Sequence, residues 1–357
     1  MNKKNFAVKI AEWYQEHKRQ LPWRETTDPY RIWLSEIILQ QTRVAQGLPY
    51  YIRFIEHFPD IQALASASEQ EVLRLWQGLG YYTRARNLHR CAKTIVHQNQ
   101  GKFPDNFVDL QKLPGIGAYT AAAIASLAFH EPVAVVDGNV YRVLARIFGD
   151  DQDIASNQGK DHFFRKAQSL VPAAYPDIFN QAMMEFGALH CLPKNPYCEE
   201  CVFKTECVAY ANGGQDRLPV NGKKLKVRRR YFNYFVIEQD KKWGMQKREG
   251  KDIWHGLYDF YLVETLRLRK PERLLEEDRV LKSLGGKIQY DKVSILYKHI
   301  LSHQKLLARF IPIKVHASKN KKALFKSKRI KFYSAKEINK LPKPTLISRY
   351  LLENLFL

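Results

Sequence analysis

The 357-residue chain predicts two unlike folds in tandem: a mostly α-helical first half and a smaller α+β second half. Three observations carry this. Through about residue 212, apolar residues return every three or four positions, the period of a buried helix face. Residues 213–230, GGQDRLPVNGKKLKVRRR, then break the texture with glycine, proline and a basic run, as a linker does. From residue 231 to 357, short runs of β-branched and aromatic residues alternate with helical pieces, the pattern of an α+β domain.

The elements follow in order. Phe6, Ile10, Trp13 and Tyr14 recur at helical spacing, so the chain opens on an amphipathic helix and not on a secretory signal. Asp60 and Ser66 open turns or helices, Gly78-Leu79-Gly80 interrupts one, and Pro104 and Pro114 punctuate the middle. The most apolar stretch, Ala118 to Phe129, is too short to span a bilayer. In the second half, strands are expected at Tyr231–Glu238, Tyr258–Glu264, Lys287–Ile295 and Ala308–Val315. A second basic stretch, Lys314 to Lys331, is either a solvated face or a DNA contact.

Composition narrows the function. Lys and Arg outnumber Asp and Glu by 58 to 36, for a net charge of +22 and a pI near 9.7. Such a field attracts polyanions, nucleic acid first among them, with a membrane surface or plain solubility as the alternatives. Four of the five cysteines, Cys191, Cys198, Cys201 and Cys207, lie in one loop as C-x6-C-x2-C-x5-C; Cys91 stands apart. Two disulfides suit a small exported protein better than this cysteine-poor chain. Zinc sites usually pair two short arms across a longer loop, whereas a single compact loop suits a [4Fe–4S] cluster better. A reducing cytoplasm, in contact with the nucleoid, fits these features.

Residues 105–129, DNFVDLQKLPGIGAYTAAAIASLAF, read as a helix–hairpin–helix, with the first helix ending at Leu113. Gly115 and Gly117 let backbone amides face outward, and the next helix points its positive end the same way. Together they make a phosphate clamp indifferent to sequence. The hairpin, the following Asp137 in Ala134-Val-Val-Asp-Gly-Asn-Val140 and the cluster loop at 191–207 resemble the endonuclease III superfamily of DNA glycosylases. That resemblance implies a six-helix-barrel domain, a [4Fe–4S] domain and a catalytic Asp137. Members that also cut the backbone carry a lysine just past the hairpin, whose amine forms a Schiff base. Tyr119 stands there, so hydrolysis by water is expected. The alternatives are an endonuclease III-like glycosylase and lyase on oxidised pyrimidines, and a non-catalytic DNA-binding protein on the same scaffold.

Leu21-Pro-Trp-Arg24 and residues 33–43, WLSEIILQQTR, closely resemble the MutY family of adenine DNA glycosylases. This implies a monomer that excises adenine opposite 8-oxoguanine or guanine in duplex DNA, after flipping the adenine out of the stack. Adenine leaves only once protonated on its five-membered ring, and a buried carboxylic acid can supply the proton. Glu36 is the candidate acid. Asp137 would stabilise the cationic sugar, in the division of labour of paired carboxylates. The resemblance adds Tyr119 and Asn139 as positioning groups, Arg24 and Gln181 as the adenine pocket, Gln41 and Thr42 near the lesion, and Leu79-Gly80-Tyr81 beside 8-oxoguanine. It also makes the second half a Nudix-like reader of 8-oxoguanine, in which no R-E-x-x-E-E-x-G-type metal string is present. Ser302 and His303 would touch the lesion, with Leu301 where the family has phenylalanine.

Overall fold

The computed structural model describes residues 2–222, 227–284, 288, 290–316 and 318–354. Contacts divide it into two compact units: Met1–Ser66 with Asn87–Lys223, and Ala67–Arg86 with Lys224–Leu357. The stretch 67–86 thus groups with the second unit, although its sequence texture is that of the helical half.

Twelve α-helices precede the first strand among the described residues: α1 (Lys3–His17), α2 (Pro29–Leu39), α3 (Val44–His57), α4 (Ile61–Ser66), α5 (Glu69–Leu75), α6 (Thr83–Gln98), α7 (Phe107–Leu110), α8 (Ala118–Phe129), α9 (Gly138–Phe148), α10 (Asn157–Gln168), α11 (Pro176–Leu189) and α12 (Val208–Ala211). Asp60 opens α4, its carboxylate accepting from the Ala63 amide at 2.8 Å. Ser66, expected to start a helix, instead ends α4; Ser68 caps α5. Phe6, Ile10, Trp13 and Tyr14 of α1 bury their stripe against Val143, Leu144, Phe163, Phe179 and Phe186 of α9, α10 and α11. Burying each of these large side chains contributes about 1.5–3 kcal/mol.

The hairpin is tighter than its sequence suggested. Its first helix stops at Leu110, and turns carry the chain to Gly115. Gly115 has φ +79°, and a Cβ there would come 2.6 Å from the Asn87 Cβ. Gly117 caps α8 with open space where its side chain would be. The run Ala121-Ala122-Ala123 in α8 is buried, and its small side chains let α8 pack on α2 and α11. That close approach sets Tyr119, at the start of α8, opposite Glu36 on α2.

The second unit is built on a mixed sheet: β1 (Arg228–Gln239), β2 (Lys242–Lys247), β3 (Tyr258–Asp259), β4 (Tyr261–Thr265), β5 (Tyr297–Ile300), β6 (Gln304–Lys314) and β7 (Lys331–Tyr333). β1 is central, parallel to β6 along its length and antiparallel to β2 and β4 at its two ends. Phe232 to Ile237 are therefore buried on both faces. Helices α13 (Pro271–Glu277), α14 (Arg279–Ser283) and α15 (Lys319–Ser327) supply Leu274, Leu281 and Phe325 to the core over Phe235, Ile311 and Ile313. Two further helices, α16 (Ala335–Lys340) and α17 (Thr345–Asn354), follow.

Two expectations shift here. No strand runs through the described part of 287–295, where Lys287 and Gln289 lie outside the described residues; Tyr290 makes a single bridge to Ile313, and β5 begins at Tyr297. The linker also ends sooner. Lys223, Lys224 and Lys226 lie outside the described residues, but Arg228, Arg229 and Arg230 are the first residues of β1. Arg230 is buried, donating to both carboxylate oxygens of Asp252 at 2.8 and 2.7 Å and to those of Glu264 at 2.7 and 2.5 Å. It is a structural charge in the sheet, not a free basic arm.

Gly115→Ala is expected to lower the unfolding free energy by about 1–2 kcal/mol, the cost of a side chain in the left-handed region, before any displacement of Asn87. Denaturant titration checks this, and an unchanged midpoint would mean the turn tolerates a Cβ.

Candidate active site

Glu36, Tyr119, Asp137, Asn139, Arg24, Gln181, Gln41 and Thr42 all line one cleft of about 800 Å³ in the first unit. Glu36 is buried in the middle of α2. The Tyr119 hydroxyl donates to Glu36 Oε2 at 2.6 Å. Burial is the main reason the Glu36 carboxyl is pushed up to about 7, since a charge without water is unfavourable there. The Tyr119 hydrogen bond and Arg24 oppose that rise, and the charge of Asp137 adds to it.

Asp137 occupies the N-cap of α9. Its Oδ1 accepts from the amides of Asn139 and Val140, both at 2.8 Å, and its Oδ2 accepts from the Asn139 side-chain nitrogen at 2.8 Å. Burial raises its pKa, and these three donors counter the rise by stabilising the anion. Asn139 is held in turn by Arg142, which donates to its Oδ1 at 2.9 Å and to the carbonyls of Gly187 and Cys191. Tyr119 reaches Glu36 and, weakly, the Met184 sulfur at 3.6 Å, so it holds the acid where it was expected to hold Asp137.

At the other wall, Arg24 donates through both terminal nitrogens to Glu185, at 2.8 and 2.7 Å, and Arg19 grips the same carboxylate. Glu185 is 1% exposed, and its carboxyl is held down to about 2: burial alone would raise it, and the bonds from Arg24 and Arg19 prevail. Gln181 accepts from the Tyr14 hydroxyl at 2.9 Å. Tyr14, Arg19, Arg142 and Glu185 carry no local sequence signal. Arg19 and Glu185 lie 166 residues apart, and only the fold brings them together.

The four loop cysteines are free thiols, and Cys191, Cys201 and Cys207 pack against the core of the first unit. Among the described residues, no group of three or more His, Cys, Asp or Glu side chains is gathered to hold a metal ion. The donor set nevertheless fits thiolate ligands. Arg146 faces Cys191 Sγ at 3.5 Å, the Phe203 amide faces Cys201 Sγ at 3.4 Å and Gln215 faces Cys198 Sγ at 3.9 Å. Such N–H···S contacts are what a cluster's sulfurs accept. Arg146 also ties the loop to α9 through the carbonyls of Leu192, Pro193 and Gln215. Within the loop, Lys204 pairs with Glu199 at 2.6 Å, which leaves Lys194 the more available cation.

In the second unit, Leu301-Ser302-His303 forms the turn between β5 and β6, closed by the Leu301–Gln304 backbone pair. Ser302 and His303 are exposed. The Ser302 hydroxyl meets that of Tyr81, a 46%-exposed side chain carried on positive φ. Leu79, expected beside the lesion, is buried. No helix of the described residues is long and apolar enough to cross a membrane.

Comparison with known proteins agrees with the geometry. Residues 34–173 match the HhH-GPD superfamily of base excision DNA repair proteins, and residues 233–353 match the NUDIX domain. The first unit has the fold of a thermostable thymine-DNA glycosylase (TM-score 0.55, 30% identity, 59% of this chain and 97% of that one). An endonuclease III solved with DNA shares the fold alone (TM-score 0.50, 22% identity, 60% of this chain and 98% of that one). A buried acid and a capped aspartate on a hairpin glycosylase scaffold thus define the class. The chain is 35% identical over 302 residues to the adenine DNA glycosylase of Buchnera aphidicola subsp. Baizongia pistaciae, spanning 84% of this chain and 83% of the relative. It is 44% identical over 222 residues to that of Rattus norvegicus, covering 60% of this chain and 43% of the relative. The chain belongs to the adenine DNA glycosylase family.

Glu185→Ala leaves two arginines without their shared carboxylate, one of them, Arg24, mostly buried. Breaking such a pair is expected to destabilise the fold by about 3 kcal/mol, measured as a shift in urea midpoint; a shift near zero would show that water replaces the carboxylate.

Proposed function

We propose that this protein hydrolyses the N-glycosidic bond of adenine opposite 8-oxoguanine or guanine in duplex DNA. The protein is a base excision repair enzyme, an adenine DNA glycosylase that binds DNA. What carries the mechanistic reading is the 2.6 Å bond from Tyr119 to the buried Glu36, in the cleft that also holds Asp137. With Tyr119 donating to Oε2, Oε1 is left to carry a proton to the extruded base. A carboxyl near pKa 7 is well matched to that transfer at neutral pH. As the bond breaks, the sugar gains positive charge, and the Asp137 carboxylate, fixed by three N–H donors, offsets it without reorganising. Tyr119 has no amine, so no imine forms and water completes the reaction.

Cys191, Cys198, Cys201 and Cys207 would hold a [4Fe–4S] cluster, which orders the loop bearing Lys194 against DNA phosphates and takes no part in bond breaking. Gly115 and Gly117 offer backbone amides to the strand. Ser302, His303 and Tyr81 would read the base opposite the adenine, and Gln41 and Thr42 line the entrance to the cleft.

Four outcomes test this. A duplex with adenine opposite 8-oxoguanine, incubated with the protein and then cut with hot alkali, is expected to break at the adenine; Glu36→Gln should abolish this, and borohydride should trap no covalent complex. Because the protonated acid is the active form, the single-turnover rate should fall about tenfold per pH unit above pH 7. A profile flat from pH 6 to 9 would remove Glu36 from the proton transfer. Joint replacement of Ser302 and His303 by alanine should erode the preference for 8-oxoguanine over guanine while sparing excision opposite guanine. Finally, the purified protein should be brown with absorbance near 400 nm, and a colourless preparation carrying zinc would reject the cluster.

A further inference from the structure

Behind the base pocket stands a residue that no part of the mechanism uses. Tyr14 lies on α1, 4% exposed, with its ring in the core of the first unit. Its hydroxyl donates to Gln181 Oε1 at 2.9 Å, and the Arg24 guanidinium lies over its ring at 5.6 Å. One side chain therefore touches both residues assigned to the adenine pocket.

The contact with Gln181 has chemical content. A primary amide offers a donor on one side and an acceptor on the other, and a half-turn exchanges them. Tyr14 breaks that symmetry. With Oε1 occupied by the hydroxyl proton, Nε2, which makes no other hydrogen bond among the described residues, is the group Gln181 has to offer the cleft. Burial raises the Tyr14 pKa, so the hydroxyl remains a donor through the working range. Arg24 cannot take over this task, since both its terminal nitrogens are engaged by Glu185.

We propose that Tyr14 is a specificity-positioning residue: it locks the Gln181 amide with Nε2 as a hydrogen-bond donor toward the extruded base. The locked donor selects a purine that presents a ring-nitrogen acceptor, as adenine does at N1, over one that carries hydrogen there, as hypoxanthine and guanine do. This rests on the reading of Gln181 as part of the base pocket. A donor set against a donor leaves a buried polar group unpaired, the arrangement that discriminates most strongly between otherwise similar bases.

The test compares single-turnover excision of adenine and of hypoxanthine, each opposite 8-oxoguanine, by the full chain. Tyr14→Phe keeps the ring and frees the amide to turn, and thermal unfolding confirms that the fold is retained. Adenine excision is expected to slow about tenfold while hypoxanthine excision holds or rises, so that the ratio between them falls by at least that factor. Gln181→Leu should lower the same ratio. If Gln181→Leu lowers it and Tyr14→Phe does not, or if Tyr14→Phe slows both bases equally, the positioning role is overturned. If neither variant moves the ratio, Gln181 is not in the base pocket, and the proposal falls with that reading.

Discussion

A carboxyl stays protonated near neutral pH only where water is kept from it, and the contact between α8 and α2 is what keeps water from Glu36. Alanines at 121, 122 and 123 bring the two helices close enough to bury Glu36 and to set the Tyr119 hydroxyl on it. A larger side chain in that run would open the contact, hydrate the acid and lower its pKa. The small-residue helix after the hairpin thus serves two ends: its amino end faces phosphate, and its body seals the acid.

The cleft holds two carboxyls apart in character by giving them different neighbours. Glu36 meets one hydroxyl and otherwise apolar surroundings, whereas Asp137 meets three N–H donors at a helix start. A third carboxylate, Glu185, consumes the charge of Arg24. Arg24 would otherwise pull Glu36 further toward its ionised form. The ion pair at one wall and the capped aspartate at the other are therefore both conditions for a neutral acid between them.

Local patterns in the sequence expose the α1 stripe, the Pro114-Gly115-Ile116-Gly117 turn and the change of texture after residue 212. The string around Glu36 and the position of Tyr119 point to the acid and to hydrolysis. What stays hidden is whatever depends on residues far apart. Tyr14 meets Gln181 across 167 residues and Arg19 meets Glu185 across 166, with no periodicity to mark either pair. The strand expected at Lys287–Ile295 fails for another reason. Its β-branched run has the right composition, but pairing with β6 is set by the turn at Leu301–His303, which places the ladder at Tyr297–Ile300. Residues 67–86 show the same limit, since helical texture does not reveal which unit a helix joins.

The parallel pairing of β1 with β6 bears on how the chain comes to be folded. Arg228 aligns with Gln304 and Glu238 with Lys314, partners separated by some 76 residues. On a ribosome, β1 emerges long before its long neighbour exists, and its doubly buried run Phe232 to Ile237 has only β2 and β4 to cover it in the interval. The first unit, by contrast, has its whole sequence available by residue 223. Synthesis therefore delivers a complete glycosylase cleft while the sheet is still waiting, and it is the second unit whose apolar strand is exposed to aggregation and to chaperones during production.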